Sequence, residues 1–427
     1  MAFTIKREDI WPQFCPYLRN LVSKERLTPL NNITTDSMKG AGIGKMERNQ
    51  EIDALRGSAM CLVIYGHALQ MFFFGGQYPR FNLTAFFVWK CIYAFHMPAF
   101  YFVSGLIARN ARCGFRSNEL VRPLALIFFA SATQILVALP LMVYQHHTGR
   151  PLNYTGLFIR PILLGIDYTL VVTCFLFSLA AVEILALCFF NCRIPGRIVV
   201  CLISIGGLFL HRELGIDWFE CQSLGAGLLF YLVGSYAIKY QCAAERLKIW
   251  KIAVLSLISL AALCLLAPLN HGTAQEVAKL KISTIKQYDF GVILALGDYG
   301  NLYLFAVTAM FGIAFLSFFC LTIRKTRLFV FAIWIGRNSL FLFIVNGIAL
   351  RFVQPYLEKA IQVSNYRGTS LILAAAFTSV QIVIFPLARP FITNLYDLCR
   401  RTAQKAICIS TVKLKPLLYH SADQEIT

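Results

Sequence analysis

Residues 53–74 read DALRGSAMCLVIYGHALQMFFF and decide how the chain is interpreted, because this apolar stretch carries an arginine and a histidine. Ten residues separate Arg56 from His67. Charged and titratable side chains inside a membrane helix are costly unless they are paired or face a polar cavity. Eleven helical steps bring both side chains to about the same face, about 16 Å apart along the axis. The stretch therefore predicts a polar stripe that runs from one membrane surface toward the middle of the bilayer.

The composition predicts an integral membrane protein built of helices. The 427 residues are 58% hydrophobic and 14% charged, whereas soluble domains contain roughly 45–50% apolar and 25% charged residues. The apolar residues come in runs of about 20, which is the length that a helix needs to cross the hydrocarbon core. The alternating ten-residue segments of a membrane β-barrel are missing from the sequence. We therefore expect an all-α bundle.

Run length gives ten candidate transmembrane spans. Lys and Arg residues give the chain a net charge of +19 and fall mainly in loops on one side of these spans. The positive-inside rule explains that bias better than a nucleic-acid partner does, so both termini are expected in the cytoplasm. The spans cover residues 54–74, 84–107, 121–144, 167–190, 196–210, 222–239, 250–269, 300–323, 328–350 and 369–392.

The chain is expected to have three regions. Residues 1–50 are polar and mixed in charge, which is unlike a signal peptide, and are predicted to form a cytosolic extension; Met46 is an alternative start. Residues 51–392 form the membrane domain, and residues 393–427 form a basic cytosolic tail. The fourteen cysteines are scattered without a CxxC spacing, so neither a metal site nor a disulfide is predicted.

The second span, CIYAFHMPAFYFVSGLIARN, carries another histidine. His96 lies near its middle, Pro98 predicts a kink, and Gly105 allows a neighbouring helix to approach closely. Because the first two spans are antiparallel neighbours, we expect His67 and His96 at a similar depth. Two imidazoles near the bilayer centre indicate proton handling. The alternative is that each histidine only forms a hydrogen bond between helices.

Four stretches resemble the acyltransferase-3 family of membrane O-acyltransferases, especially its sugar O-acetylase branch. The resemblance runs from about residue 46 to residue 392. It implies the transfer of an acyl group, usually acetyl, from cytoplasmic acyl-CoA to a carbohydrate hydroxyl, often at the bacterial inner membrane. The stretches are IDALRGSAMCLVIYGHAL (52–69), AFHMPAFYFVSG (94–105), GLLFYLVGSYAIKYQ (227–241) and WIGRNSLFLFIVN (334–346).

The resemblance also implies roles for the first residues noted. His67 matches the family's essential histidine and Arg56 its partner arginine. A neutral His can take the proton of a sugar hydroxyl as that oxygen attacks a thioester, so His67 is expected to be the general base. A covalent acyl-His is the competing role. Arg56 is expected to bind the phosphates of CoA with its fork of donors, and His96 to orient the acceptor or relay protons.

Further donor-binding candidates lie on the third and ninth spans. Arg122 matches one of two arginines that the family often carries three residues apart, and Glu119 stands in place of the other. Arg337 lies several residues inside the ninth span, a depth at which arginine is functional or firmly paired. Arg337 and Ser339 are expected to contact the donor phosphates or the oxyanion.

Two candidates for acceptor binding are Glu183 and Asn346. Glu183 is a carboxyl group inside the fourth span, and it lines the acceptor path or pairs helices. The family often ends the ninth span with a histidine, but this chain has Asn346 at that position. Asparagine donates hydrogen bonds but does not accept a proton at neutral pH.

The expected co-substrate is acetyl-CoA, and the expected partners are a carbohydrate or glycolipid acceptor, membrane lipids and glycan-assembly proteins. A proton-coupled transporter or flippase is the first alternative, because buried His, Arg and Glu residues in ten spans also fit a carrier. The sequence shows no strong internal repeat, which argues against a transporter. A scaffold whose acyl site has decayed is the second alternative, since Asn346 and the fourth span depart from the family.

Overall fold

The computed structural model describes residues 49–72, 82–108, 117–149, 151, 153–166, 168–245, 247–272, 291–354, 356–357 and 370–422. This part of the chain is helical. Its main helices are α1 (Gln50–Gln70), α2 (Leu83–Tyr93), α3 (His96–Ile107), α4 (Val121–His147), α5 (Thr173–Asn191), α6 (Ile194–Leu214), α7 (Leu224–Glu245), α8 (Ile249–Leu266), α9 (Leu302–Thr322), α10 (Arg327–Phe352) and α11 (Ser370–Ala422).

Nine helical segments among the described residues are long and apolar enough to cross a membrane. They correspond to the second to tenth predicted spans and confirm an all-α, multi-pass membrane protein. Helix α1 coincides with the first predicted span but is not one of the nine. Its first two turns carry Glu51, Asp53 and Arg56, which make it less apolar than the other spans. The cytoplasmic location of both termini stays a prediction.

Several predicted span limits differ from the structure, including those of α5, α6 and α11. Helix α5 begins at Thr173 rather than at 167. The fifth span, predicted to be short, is the 21-residue helix α6, which ends only where Gly215 adopts the left-handed conformation. Helix α11 continues past residue 392, because the sequence contains no Gly or Pro between residues 391 and 415 that would stop it. The domain limits stay predictions, and residues 1–48 and 423–427 lie outside the described residues.

Pro98 breaks the second span, but one turn earlier than predicted. Helix α2 ends at Tyr93 and α3 begins at His96. A proline ring collides with the carbonyl group four residues earlier, which here belongs to Ala94. The break therefore lies at Ala94 and Phe95, and it makes His96 the first residue of a new helix.

Helix α1 packs most extensively against α10, and two glycines bring their backbones into direct contact. A Cβ atom at Gly57 would lie 1.9 Å from the carbonyl oxygen of Ala332, and one at Gly336 would lie 1.8 Å from that of Asp53. Any residue larger than glycine would force the helices apart. The position of α10 relative to α1 is therefore fixed at this point.

The two helices stay in register for ten residues beyond that contact. The residue numbers of Gly57 and Gly336 differ by 279, and so do those of the contacting pair His67 and Asn346. A constant difference means that the helices run parallel, here over about 15 Å. The facing residues recur at alternating steps of four and three, as in a coiled coil. Extending the register between the two observed contacts assigns to the stripes Asp53, Gly57, Met60, Ile64 and His67 on α1, and Ala332, Gly336, Ser339, Phe343 and Asn346 on α10.

A second pair of glycines joins α3 to α7. A Cβ atom at Gly105 would lie 1.9 Å from the carbonyl oxygen of Tyr231, and one at Gly234 would lie 2.0 Å from that of Phe102. The close approach predicted at Gly105 is thus confirmed. It fixes α3, and with it His96, within the bundle.

We expect Gly336→Ala to destabilise the protein, because the added methyl group meets the backbone of α1 rather than a side chain that can move. Overpacking of this kind costs about 1–3 kcal/mol. The measurement is the midpoint of thermal unfolding of the purified protein in detergent. Gly206→Ala is the matched control: Gly206 lies inside α6 with no atom within 4 Å of an added Cβ, so its midpoint should stay or rise. Equal midpoints for the two variants would contradict the proposed packing.

Candidate active site

Two histidines and an asparagine meet around the ring of Tyr93. Nδ2 of Asn346 lies 3.1 Å from Nδ1 of His67. The Tyr93 ring centre lies 6.1 Å from that of His67 and 4.4 Å from that of His96. Nε2 of Gln70 donates a hydrogen bond of 2.8 Å to the Tyr93 hydroxyl group and holds the ring in place. The structure therefore brings together His67 and His96, as the sequence predicted.

The hydrogen bonds of the imidazoles determine which ring nitrogens carry protons. Nδ1 of His96 lies 3.1 Å from the carbonyl oxygen of Ile92, which can only accept, so His96 carries its proton on Nδ1 and leaves Nε2 as an acceptor. In the structure, Nδ2 of the Asn346 amide faces His67 and donates to its Nδ1 atom. Turning that amide by 180° presents its oxygen instead, which fixes the proton on Nδ1 of His67 and leaves Nε2 as the basic atom.

The site is closed except at His67. His96 is 4% exposed and Asn346 is fully buried, whereas His67 is partly exposed. Asn346, the hydrogen-bonding neighbour of His67, cannot ionise and adds no charge beside the imidazole. The arrangement suits an imidazole that stays neutral until it receives a proton from a reactant.

Arg56 belongs to a second group of polar side chains, near the start of α1. Nη2 of Arg122 forms an ion pair of 3.0 Å with Oε1 of Glu183, and the two side chains are 37% and 5% exposed. Arg56 interacts electrostatically with Glu183 and with Tyr396. This group joins α1, α4, α5 and α11. Glu183 is therefore a partner of two arginines, which is the helix-pairing role left open by the sequence.

Arg337 and Ser339 lie on the part of α10 that faces the beginning of α1. Nε of Arg337 lies 3.3 Å from Oδ2 of Asp53, and the Arg337 side chain is 45% exposed. Ser339 is 2% exposed, and its hydroxyl group has no hydrogen-bond partner among the described residues. It lies on the same stripe as Gly336 and Asn346, between the level of the arginines and that of the histidines.

The candidate residues thus form two groups on α1 rather than one. Arg56 and His67 have different neighbours, and the rise of the helix places them about 16 Å apart. A cleft of about 200 Å³, partly open to the outside, lies near the arginine end, and neither Arg56 nor His67 lines it. Its wall consists of Glu51, Ile52, Leu55, Phe102, Leu106, Ala237, Ser317, Phe318, Cys320 and Leu321. Arg109, Arg112 and Arg116, further basic residues in the loop after the second span, lie outside the described residues.

Tyr93, Gln70 and Asp53 were not predicted from the sequence as residues of the site. Tyr93 lies three residues before His96, and in the single helix that the sequence predicts for this span the spacing places both on one side, which was the available signal. Asp53 lies one turn before Gly57 on the stripe of α1 that faces α10. Nothing in the sequence singles it out as the partner of Arg337, since 284 residues separate the two.

The family model of an acyltransferase domain matches residues 49–389, which includes every candidate residue named above. Comparison with curated proteins and with solved structures gives no match.

We expect Arg122→Gln to destabilise the protein, because it leaves the buried Glu183 carboxylate without its nearest cation. Breaking a buried ion pair costs several kcal/mol; the partial exposure of Arg122 lowers this to roughly 1–3 kcal/mol. In the double variant Arg122→Gln/Glu183→Gln, part of the loss should be recovered, since the buried carboxylate is gone and only the half-buried Arg56 loses a partner. Thermal unfolding of the two single variants and the double variant measures the coupling. Additive effects would show that the pair does not stabilise the fold.

Proposed function

The chain belongs to the acyltransferase-3 family, and we propose that this membrane acyltransferase moves an acetyl group from acetyl-CoA to a carbohydrate hydroxyl group. The acceptor would be a polysaccharide, a lipopolysaccharide or another glycan, and the location the bacterial inner membrane. The observation that carries the proposal is the pair of histidines around Tyr93, one of them in contact with Asn346. This pair lies in the part of the chain that the family model covers.

The proposed reaction begins with proton transfer to His67. The step uses the turned orientation of the Asn346 amide, in which its oxygen, rather than the Nδ2 atom that faces His67 in the structure, accepts from Nδ1–H. Nε2 of His67 then takes the proton of the acceptor hydroxyl group as the hydroxyl oxygen attacks the thioester carbon. The new C–O bond forms and the C–S bond breaks. The CoA thiolate then takes the proton back from the imidazolium, so the histidine ends as it began.

His96 is proposed to orient the acceptor. Its Nε2 atom is an acceptor because Nδ1–H is donated to the Ile92 carbonyl group. A second hydroxyl group of the sugar can donate to it. His96 is therefore assigned to acceptor binding and proton relay, and Asn346, which the sequence suggested as an acceptor ligand, to holding His67.

The arginines are proposed to bind the phosphates of the donor. A guanidinium group has five N–H donors, and the ion pairs with Glu183 and Asp53 use only part of those of Arg122 and Arg337. Both side chains keep more than a third of their surface exposed. Arg56 lies beside the first of these pairs, and the buried hydroxyl group of Ser339 lies between the arginines and the histidines, where the chain between phosphates and thioester would pass.

We expect His67→Ala to lower the acyl-transfer rate by about 10²–10⁴-fold, the usual contribution of a general base. The assay follows radiolabel from acetyl-CoA into a lipid extract in inverted membrane vesicles. His146→Ala, at an exposed histidine of α4, is the matched control and should keep the wild-type rate. If wild-type vesicles transfer no label but take up substrate in a pH-dependent manner, the chain is a transporter and the proposal is wrong.

We expect Arg56→Ala to raise the KM for acetyl-CoA by at least about 10-fold, because a hydrogen bond between charged groups contributes about 1.5–3 kcal/mol. The KM for the acceptor should change little. Arg351→Ala serves as the control, because it removes an exposed arginine near the C-terminal end of α10, away from Arg337. Failure of the Arg56→Ala protein to insert and fold, tested by protease resistance, would instead assign Arg56 a structural role.

A further inference from the structure

We propose that a buried polar cluster around Glu220 binds hydroxyl groups of the sugar ring, next to the two histidines. This inference rests on the proposed function, since it assigns the acceptor a site. The cluster consists of Tyr168, Thr169, Cys174, Glu220 and Gln222, from the segments that precede α5 and α7 and the first turn of α5.

The backbone at Glu220 has an unusual conformation. Phe219 and Glu220, just before α7, have φ angles of 50° and 56°. Apart from glycines, these are the only positive φ angles in the described part of the chain. Side chains disfavour this left-handed region, and structures retain such residues mainly where function or surrounding contacts demand it. Here the conformation keeps the Glu220 side chain 8% exposed.

Hydrogen bonds fix the segment around Glu220. Nε2 of Gln222 donates to Oε2 of Glu220 at 3.1 Å, and the Ser223 hydroxyl group donates to the Glu220 carbonyl oxygen at 2.9 Å. The Tyr299 hydroxyl group donates to the Gln222 carbonyl oxygen at 2.6 Å. A carboxyl group is thus held in place inside the protein, within hydrogen-bond reach of the Cys174 thiol.

The cluster adjoins the histidine site. Cys174 interacts with Glu220 and also with Tyr93, whose ring contacts both histidines. A Cβ atom at Gly347, the residue after Asn346, would lie 2.4 Å from Val172 and 2.9 Å from Leu170. The chain leading into α5 therefore passes directly beside the part of α10 that holds His67.

Several polar atoms of the cluster lack a partner. Oε1 of Gln222, Oγ1 of Thr169 and the hydroxyl group of Tyr168 are buried and have no hydrogen-bond partner among the described residues. Gln222 is 3% and Thr169 6% exposed, and Tyr168 interacts electrostatically with Glu220 and Cys174. Buried polar groups are nearly always paired, so these atoms call for a ligand that both donates and accepts.

A sugar ring matches this set of groups. Each of its hydroxyl groups both donates and accepts hydrogen bonds, whereas a carboxylate and an amide oxygen only accept. Phe177 provides an apolar surface, because its ring contacts those of Tyr168 and Phe219 at 5.9 and 5.6 Å. Carboxylate, amide and hydroxyl groups beside an aromatic surface are typical of sites that are mostly apolar with a few fixed polar groups.

Tyr168→Phe is the sharpest test, because it removes only a hydroxyl group that has no hydrogen-bond partner in the described part of the chain. The assay uses the purified full chain with acetyl-CoA and octyl glucoside, octyl galactoside or octyl rhamnoside as acceptor. We expect the KM for the best acceptor to rise about 10-fold, with the KM for acetyl-CoA unchanged. A purely structural tyrosine would leave both constants unchanged. Tyr154→Phe, at an exposed tyrosine, is the control.

Glu220→Gln tests the carboxylate, with Glu213→Gln at an exposed position as its control. We expect Glu220→Gln to raise the acceptor KM by 10-fold or more and Glu213→Gln to have no effect. Wild-type acceptor KM values for both Tyr168→Phe and Glu220→Gln would overturn the acceptor site and leave acyl transfer intact. Absence of transfer by the wild-type chain would instead overturn the proposed function, and this inference with it.

Discussion

The backbone contact between α1 and α10 at Gly57 and Gly336 is the constraint on which the rest of the structure depends. Because two glycines touch without intervening side chains, the helices have one possible separation and one register at this point. The register then carries ten residues along both helices to His67 and Asn346. The same contact places Arg337 within reach of Asp53. The contacts that α10 makes with both groups on α1, at Asp53 and at His67, therefore depend on this one contact between the helices.

The cost of charge in a bilayer explains why these groups differ. Near the start of α1, guanidinium groups pair with carboxylates, as in Arg122 with Glu183 and Arg337 with Asp53. Farther along, the titratable groups are imidazoles, and their neighbours are an amide, a tyrosine and a carbonyl group. Charged donors thus lie where the phosphates of a donor would bind, and neutral bases lie where a thioester would be attacked. The chemistry proposed for this acyltransferase requires that division.

The sequence predicted the helical class, the order of the spans and the meeting of His67 with His96, because apolar run length and antiparallel neighbours determine them. It misplaced the break at Pro98, since a proline disturbs the carbonyl group four residues before it. It did not predict the pairing of Asp53 with Arg337 or the cluster at Glu220. Those contacts join residues far apart in sequence, and the left-handed backbone at Phe219 and Glu220 has no signature in residue type. Asn346 stood out only as a departure from the family; the structure shows its contact with His67.

Cross-linking of α1 to α10 tests this arrangement most directly. Met60 and Ser339 face each other in the register described, so in a chain whose native cysteines are replaced, Met60→Cys/Ser339→Cys should form a disulfide under mild oxidation. The bond requires Cα atoms about 4.4–6.8 Å apart. The account predicts this cross-link and none for Met60→Cys/Phe343→Cys, one helical turn out of register. A cross-link only in the second pair, or in neither, would contradict the positioning of His67 by α10.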